Sequence, residues 1–189
     1  FQLFLLIKML YSCLVDADFL DTQEFMTDNA VDRSVEFKID KLNLKLQEKI
    51  KTFENADNKI NIKRNEILSE CLEKSSCGKG MFSLTVPTGG GKTISSLAFA
   101  LNHATKNNMD RVIYVIPYTS IIEQNASVFK NILGDDVVLE HHSNFDYKDE
   151  EIDVELASKL QLASENWDIP VIVTTNVQFF ESVFSNKSS

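Results

Sequence analysis

The sequence predicts an α/β protein, a parallel sheet with helices on its connections and a phosphate-binding loop near its start. Three observations predict this. The stretch from Met81 to Leu101 reads as an apolar run, a glycine-rich turn and a helix. Two later runs rich in β-branched residues, 111–116 and 171–174, alternate with segments of helical periodicity. Each of these runs ends in a turn of hydroxyl and amide residues that leads into a helix. Strands alternating with helices imply parallel pairing and right-handed crossovers.

The first stretch organises the rest. Phe82, Leu84 and Val86 give an apolar run of strand type, which Pro87 ends because proline cannot donate to a ladder. Thr88 and the three glycines Gly89, Gly90 and Gly91 follow, and glycine permits positive φ and close approach of a ligand to the backbone. Ile94, Leu97, Ala98 and Leu101 then recur at helical spacing. Strand, loop and helix together are what a phosphate-binding loop requires. Backbone N–H groups from Gly89 to Thr93 are expected to converge on one anion, with the positive end of the helix behind them. Lys92 would place an ammonium between the outer phosphates, and the Thr93 hydroxyl would ligate Mg²⁺. A glycine-rich turn beside a chance Gly-Lys-Thr is the competing reading. It is weaker because all three parts of the pattern agree. The general pattern opens with glycine five residues before the second invariant glycine, and here that position is Val86.

The other elements follow in order. Residues 1–26 read as a helix, apolar nearly all round, as in a buried interior helix. It runs into Asp16, Asp18 and Asp21, although the C-terminal dipole of a helix disfavours acids. A solvated helix end is the plainer reading of Asp18; a metal ligand, with its co-ligands upstream of Phe1, is the sharper one. Residues 27–60 are polar and read as a partly helical connector, with Leu42, Leu46, Ile50 and Phe53 at helical spacing. Residues 61–74 form a further helix carrying Arg64. A solvated arginine is the bland reading there. The alternative is a contact near the nucleotide, since this helix leads into the phosphate loop.

Beyond the loop, Pro117, Thr119, Ser120, Gln124 and Asn125 follow the strand 111–116, with Thr119 or Ser120 expected to cap a helix over 121–132. A short strand is expected at 137–140, with His141 and His142 in a solvated or nucleic-acid-facing loop and a helix over about 150–165. Thr174, Thr175, Asn176 and Gln178 follow the last strand and open a helix through Phe184. Ligands of open α/β sheets gather at the carboxyl ends of the strands. Short hydroxyl and amide side chains there suit phosphodiester oxygens. N-capping is the competing reading of each segment alone; their joint occurrence on one sheet edge weakens it.

The totals bound the rest. The 189 residues hold one domain or slightly more, 43% hydrophobic and 25% charged, as a soluble globular protein would be. The net charge of −9 does not advertise a nucleic-acid binder, but residues 146–168 concentrate eight acids. Three cysteines with no Cys-x-x-Cys fit a reduced cytoplasmic chain and not a zinc site. The apolar start is interrupted by Lys8 and is too short for a bilayer span or a signal peptide, so no membrane is expected. It lacks an initiator Met. The chain is expected to be a piece of a longer protein.

Together these residues resemble the CRISPR-associated helicase–nuclease of type I systems, closest to subtype I-C, over nearly all of the chain. Val86 to Thr93 resembles motif I of superfamily 2 helicases, in which Ala usually stands where Val86 does. Val115 to Asn125 resembles motif Ia, and Glu165 to Asp168 with Val171 to Phe184 resembles the segment that ends in a DNA-contacting Thr-Thr-Asn. Leu14 to Thr22 resembles, more weakly, the last motif of an HD nuclease, whose metal-ligating Asp would be Asp18. The resemblance implies a truncated RecA-like first helicase domain at 61–189, a connector at 27–60 and the helical C-terminal end of an HD domain at 1–26. It implies ATP and Mg²⁺ at the loop and a divalent transition metal at the HD site. Its partners would be single-stranded DNA and a Cascade-type surveillance complex, and the whole protein would translocate on foreign DNA and degrade it. No Asp-Glu-x-His sequence occurs among these residues. The Mg²⁺-holding acid, the hydrolytic Glu, the arginine finger of a second motor domain and the HD histidines are expected outside them. A P-loop nucleotide switch or small kinase without a nucleic-acid role is the alternative, and neither a kinase lid nor a base-recognition site is visible. A third reading is a catalytically dead binding module.

Overall fold

A computed structural model describes residues 2–27, 38–53, 58–143, 160, 164 and 167–184. Its elements are α1 (Gln2–Thr27), α2 (Ile39–Lys51), α3 (Lys59–Lys74), α4 (Lys92–Lys106), β1 (Val112–Ile116), α5 (Thr119–Leu133), β2 (Val138–His141), β3 (Val171–Thr175) and α6 (Asn176–Phe184). A single 3₁₀ turn at Asp135–Val137 leads into β2. Most of the expected helix over 150–165 lies outside the described residues, though Leu160 and Ser164 have helical backbone.

The sheet is parallel, in the order β1-β3-β2. Val112 stands beside Val171 and Ile116 beside Thr175, while Val138 pairs with Val171 on the other side. As the central strand, β3 is covered on both faces. Its residues Val171 to Thr174 are therefore all buried, which is why it reads as a continuous apolar run and not as an alternation.

Helices α2, α4 and α5 supply most of the main core: Leu42, Leu46, Leu97, Leu101, Ile122 and Phe129 pack with Val171 and Val173 of the sheet. Within the stretch read as a partly helical connector, the helix expected around residues 39–53 forms as α2 and packs into the core. Four apolar residues at helical spacing, Ile39, Leu42, Leu46 and Ile50, are enough to bury one stripe of α2 while the rest stays in water. A second cluster joins Leu139 and Ile172 to Leu160 and Ile169. Helix α3 packs on α4 and begins at Asn58, whose side chain caps the Asn61 N–H.

Two expectations are corrected here. Residues 81–87 form no strand, because no other strand among the described residues offers them a ladder. Only Val86 of their apolar side chains is buried, while Phe82 and Leu84 stay open to solvent. Helix α1 forms as expected but is not buried. Leu3, Phe4, Leu6, Met9, Leu10 and Leu14 are all more than half exposed, since no described element packs substantially against it.

Candidate nucleotide and nucleic-acid site

The loop at 87–91 takes the shape its glycines predict. Gly89 and Gly91 lie at φ +82° and +81°, a left-handed region that side chains rarely adopt. Gly90 has ordinary φ but no room: a Cβ there would meet Val86 Cγ1 at 2.3 Å and the Pro87 carbonyl at 3.1 Å. Helix α4 starts at Lys92 from Gly91, with no side chain capping it. Its first bond into the helix runs from the Ser95 N–H to the Gly91 carbonyl (3.1 Å), so the Lys92, Thr93 and Ile94 amides have no carbonyl to bond. Lys92 is exposed and has no acidic partner among the described residues. The loop thus brings together free backbone donors, a helix N-terminus and an unpaired cation, an arrangement suited to an anion. One detail departs from expectation. The Gly90 N–H is already bonded to the Pro87 carbonyl (3.1 Å), closing the turn, and so does not join the convergent set.

Phosphates fit this cradle, because no side chain occupies the left-handed positions and the donors at the helix start lack partners. The half-buried Thr93 hydroxyl makes no hydrogen bond among the described residues, which suits it to Mg²⁺.

The loop lies at the carboxyl end of the sheet. Tyr114, midway along β1, donates its hydroxyl to Ser96 Oγ (3.2 Å), one turn into α4, and the opposite end of α4 reaches residue 77 through Asn107. Only five residues separate the end of helix α4 from β1, and the helix packs on the strand, so the two run antiparallel and the start of α4 lies toward the carboxyl end of β1. Tyr114 is half-buried, and the desolvation of its phenol pushes the pKa up.

At the same edge the parallel register puts Ile116 beside Thr175, so the segment after β1 and the segment after β3 leave the sheet together. Pro117, Ser120, Gln124 and Asn176 are exposed there, and Thr119, Thr175 and Gln178 half-buried. Three expected roles change. Neither Thr119 nor Ser120 caps α5. The cap position is Tyr118, without a side-chain bond, because both residues already lie within the first turn. The Asn125 amide is bonded to the Ile121 carbonyl within its own helix (2.8 Å). Thr174 is fully buried and donates to the His141 carbonyl (2.8 Å), so it is removed from any groove. Thr175 accepts from the Gln178 N–H (3.0 Å) and so caps α6.

The acidic stretch 146–168 lies mostly outside the described residues. Its last member, Asp168, pairs with Arg111 (2.8 Å) just before β1, at the opposite edge of the sheet.

The histidine pair is not a solvated loop. His142 is buried with its Nε2 3.1 Å from Glu140 Oε1, and Lys130 approaches the same carboxylate at 3.5 Å. His141 Nδ1 accepts from Trp167 Nε1 (2.9 Å), and burial, then the adjacent His142, lowers its pKa. Sequence reading missed this network. The one available signal was Glu140 at an inward position of a buried strand. It missed also the aromatic packing of Phe82, Phe99 and His103, in which the Phe99 and His103 rings stack at 5.4 Å.

Asp18 lies well inside α1, not at its end, and is exposed. No cluster of three or more potential metal ligands occurs among the described residues. No helix among them is long and apolar enough to cross a membrane.

Comparison with known proteins agrees with the geometry. A CRISPR-associated nuclease/helicase Cas3 from Haloferax volcanii is 33% identical to this chain over 120 residues, covering 53% of the chain. The match spans 13% of that protein. The family described as "Type III restriction enzyme, res subunit" matches residues 43–188, from within α2 to beyond α6. With its glycine-rich loop, parallel sheet and flanking helices inside that match, the chain belongs to the family of type III restriction enzyme res subunits.

Proposed function

We propose that these residues are the nucleotide-binding part of an ATP-dependent translocase or helicase acting on single-stranded DNA. In the whole protein it would be joined to an HD nuclease and recruited to a CRISPR surveillance complex of subtype I-C. The cradle at 87–93, with its two left-handed glycines and uncapped helix start, carries the nucleotide reading. The family match and the Cas3 relative support the helicase and defence context.

In this reading the Gly91 to Ile94 region supplies backbone donors to the β- and γ-phosphates, Lys92 bridges them, and Thr93 holds Mg²⁺. The metal would neutralise charge that builds on the phosphates during transfer. Thr119, Ser120, Gln124, Thr175, Asn176 and Gln178 would line the path of a DNA backbone along the carboxyl edge. Uncharged donors there bind phosphates without reading bases, as a translocase requires. Asp18 would be a metal ligand of the HD nuclease only with ligands from outside these residues, since one carboxylate cannot hold a transition metal.

The test is a pair of titrations. A fluorescent ATP analogue should bind the 189-residue chain and lose binding with Lys92→Ala. A labelled single-stranded oligonucleotide should bind weakly and less tightly as salt rises. Nucleotide binding unaffected by Lys92→Ala would sink the first claim. Nucleotide binding with no DNA binding at any salt would favour a nucleotide switch instead.

A further inference from the structure

The loop has a wall that the motif does not contain. Helix α3 passes alongside it, and Arg64 Nε donates to the Gly89 carbonyl at 2.8 Å, from 25 residues away in sequence. Arg64 Nη1 donates to Asn61 Oδ1 (3.1 Å), and Asn61 is itself fixed by the Asn58 cap (2.8 Å). The aliphatic stem of the arginine borders the next glycine. A Cβ on Gly91 would lie 3.4 Å from Arg64 Cγ, and one on Gly90 would lie 3.7 Å from Ile67 Cδ1, one turn further along α3.

An exposed arginine does not take two directed bonds without cost, because its side chain gives up about 2 kcal/mol of rotamer entropy when fully fixed. Here both partners are neutral oxygens. The neighbouring acid on α3, Glu66, is paired with Lys63, and Arg64 has no carboxylate partner among the described residues. Its full charge therefore stands at the rim of a site already built to receive an anion. The bond to Gly89 also holds the carbonyl side of the Gly89–Gly90 peptide, whose N–H side is bonded to the Pro87 carbonyl. Gly89 gains no restraint from side-chain packing, since even a Cβ built on it would meet nothing within 4 Å.

We propose that Arg64 is a positioning residue of the phosphate loop: from α3 it holds the Gly89 carbonyl turned away from the ligand and so preforms the cradle for a nucleoside polyphosphate. This rests on the nucleotide reading above. The bond is charge-assisted and sits at the loop, so its loss should appear in ligand affinity rather than in global stability.

The experiment uses the full 189-residue chain with the fluorescent ATP analogue and inorganic tripolyphosphate as probes, alongside thermal unfolding. Arg64→Ala should weaken both probes by about tenfold or more while leaving Tm within about 2 °C of wild type. Arg64→Lys keeps the charge but not the planar fork, and should recover less than half of the lost affinity on a logarithmic scale. Millimolar ethylguanidinium should restore binding to Arg64→Ala, and ethylammonium should not. Wild-type affinity in Arg64→Ala overturns the proposal. Full recovery in Arg64→Lys overturns it in favour of charge alone. A loss that comes with a lowered Tm and resists ethylguanidinium overturns it in favour of a structural prop for α3. If the wild-type chain binds neither probe, the nucleotide reading has failed and Arg64 falls with it. Intact wild-type binding that Lys92→Ala abolishes and Arg64→Ala spares refutes the Arg64 role alone.

Discussion

Gly90 and Val86 form a coupled pair, and the coupling has a calculable size. Gly90 needs no left-handed backbone. Its requirement for glycine comes from Val86 Cγ1, which occupies the place of a Cβ at 2.3 Å, and to a lesser degree from the Pro87 carbonyl at 3.1 Å. Gly90→Ala therefore overpacks a buried contact, at about 1–3 kcal/mol. The stiffer unfolded chain offsets about 0.4–1 kcal/mol of that. Val86→Ala alone removes two methyl-sized groups from a site only 8% exposed, costing about 1.6 kcal/mol in transfer terms. In the double variant the new alanine methyl occupies space that valine vacated. The two changes should then cost less together than separately, with a coupling of about 1–2 kcal/mol.

Urea unfolding of the four proteins, at one pH and with equal slopes, reads the coupling directly. Titration of the ATP analogue reads it at the site, where Gly90→Ala should weaken binding about tenfold and the added Val86→Ala should restore most of that. Gly89→Ala and Gly91→Ala serve as controls. Their cost is left-handed strain of roughly 1–2 kcal/mol, which no change at Val86 can relieve. Additive effects of Val86→Ala and Gly90→Ala, within about 0.5 kcal/mol, would refute the steric account. The same account explains why valine is tolerated before Pro87: it requires glycine at the middle position of the three.

Further outcomes are expected. The 189-residue chain should turn over essentially no ATP, because each absent electrostatic group typically costs about 10²–10⁵ in rate; steady hydrolysis insensitive to Lys92→Ala would contradict this. Thr174→Val should lower stability by about 1 kcal/mol through its lost bond to His141 and leave DNA affinity alone, whereas Thr119→Ala and Thr175→Ala should weaken DNA binding. The opposite pattern in an oligonucleotide titration would remove the groove. His141 accepts from Trp167 through Nδ1, so it is neutral, and its folded pKa lies below the unfolded value of about 6.5. Its stabilising contribution is thus present above about pH 6.5 and lost as pH falls through the folded value. Between about pH 6.5 and 5 the urea midpoint should fall more steeply for wild type than for His141→Gln, with emission of the single tryptophan changing in step; equal slopes would show that the bond does not matter. Asp18→Asn should leave both stability and binding of Mn²⁺ or Ni²⁺ by the 189-residue chain unchanged, as measured by calorimetry, and a tight site lost with that substitution would contradict the need for outside ligands.

What the sequence determined by itself was local. The left-handed positions at Gly89 and Gly91, the start of α4 at Lys92, the amphipathic stripes of α2 and α5, and the alternation of strand and helix each depend on residues within a few positions of one another. Backbone sterics, helical periodicity and parallel crossovers leave few alternatives at that range. Tertiary structure decided whatever needs a distant partner. Residues 82–86 have strand composition, but a strand exists only when another supplies a ladder, and none among the described residues does. The all-round apolar pattern of α1 asks for burial, yet burial requires a second surface. Thr174 and Thr175 are adjacent and chemically identical. Strand alternation turns the first inward to the His141 carbonyl and leaves the second to cap α6. For Arg64 the sequence leaves a solvated cation and a contact near the nucleotide both open, and the packing of α3 against α4 carries it to the Gly89 carbonyl. Side-chain chemistry was legible in every one of these cases. The partner was not, because it is chosen by how helices and strands far apart in the chain come to rest on one another.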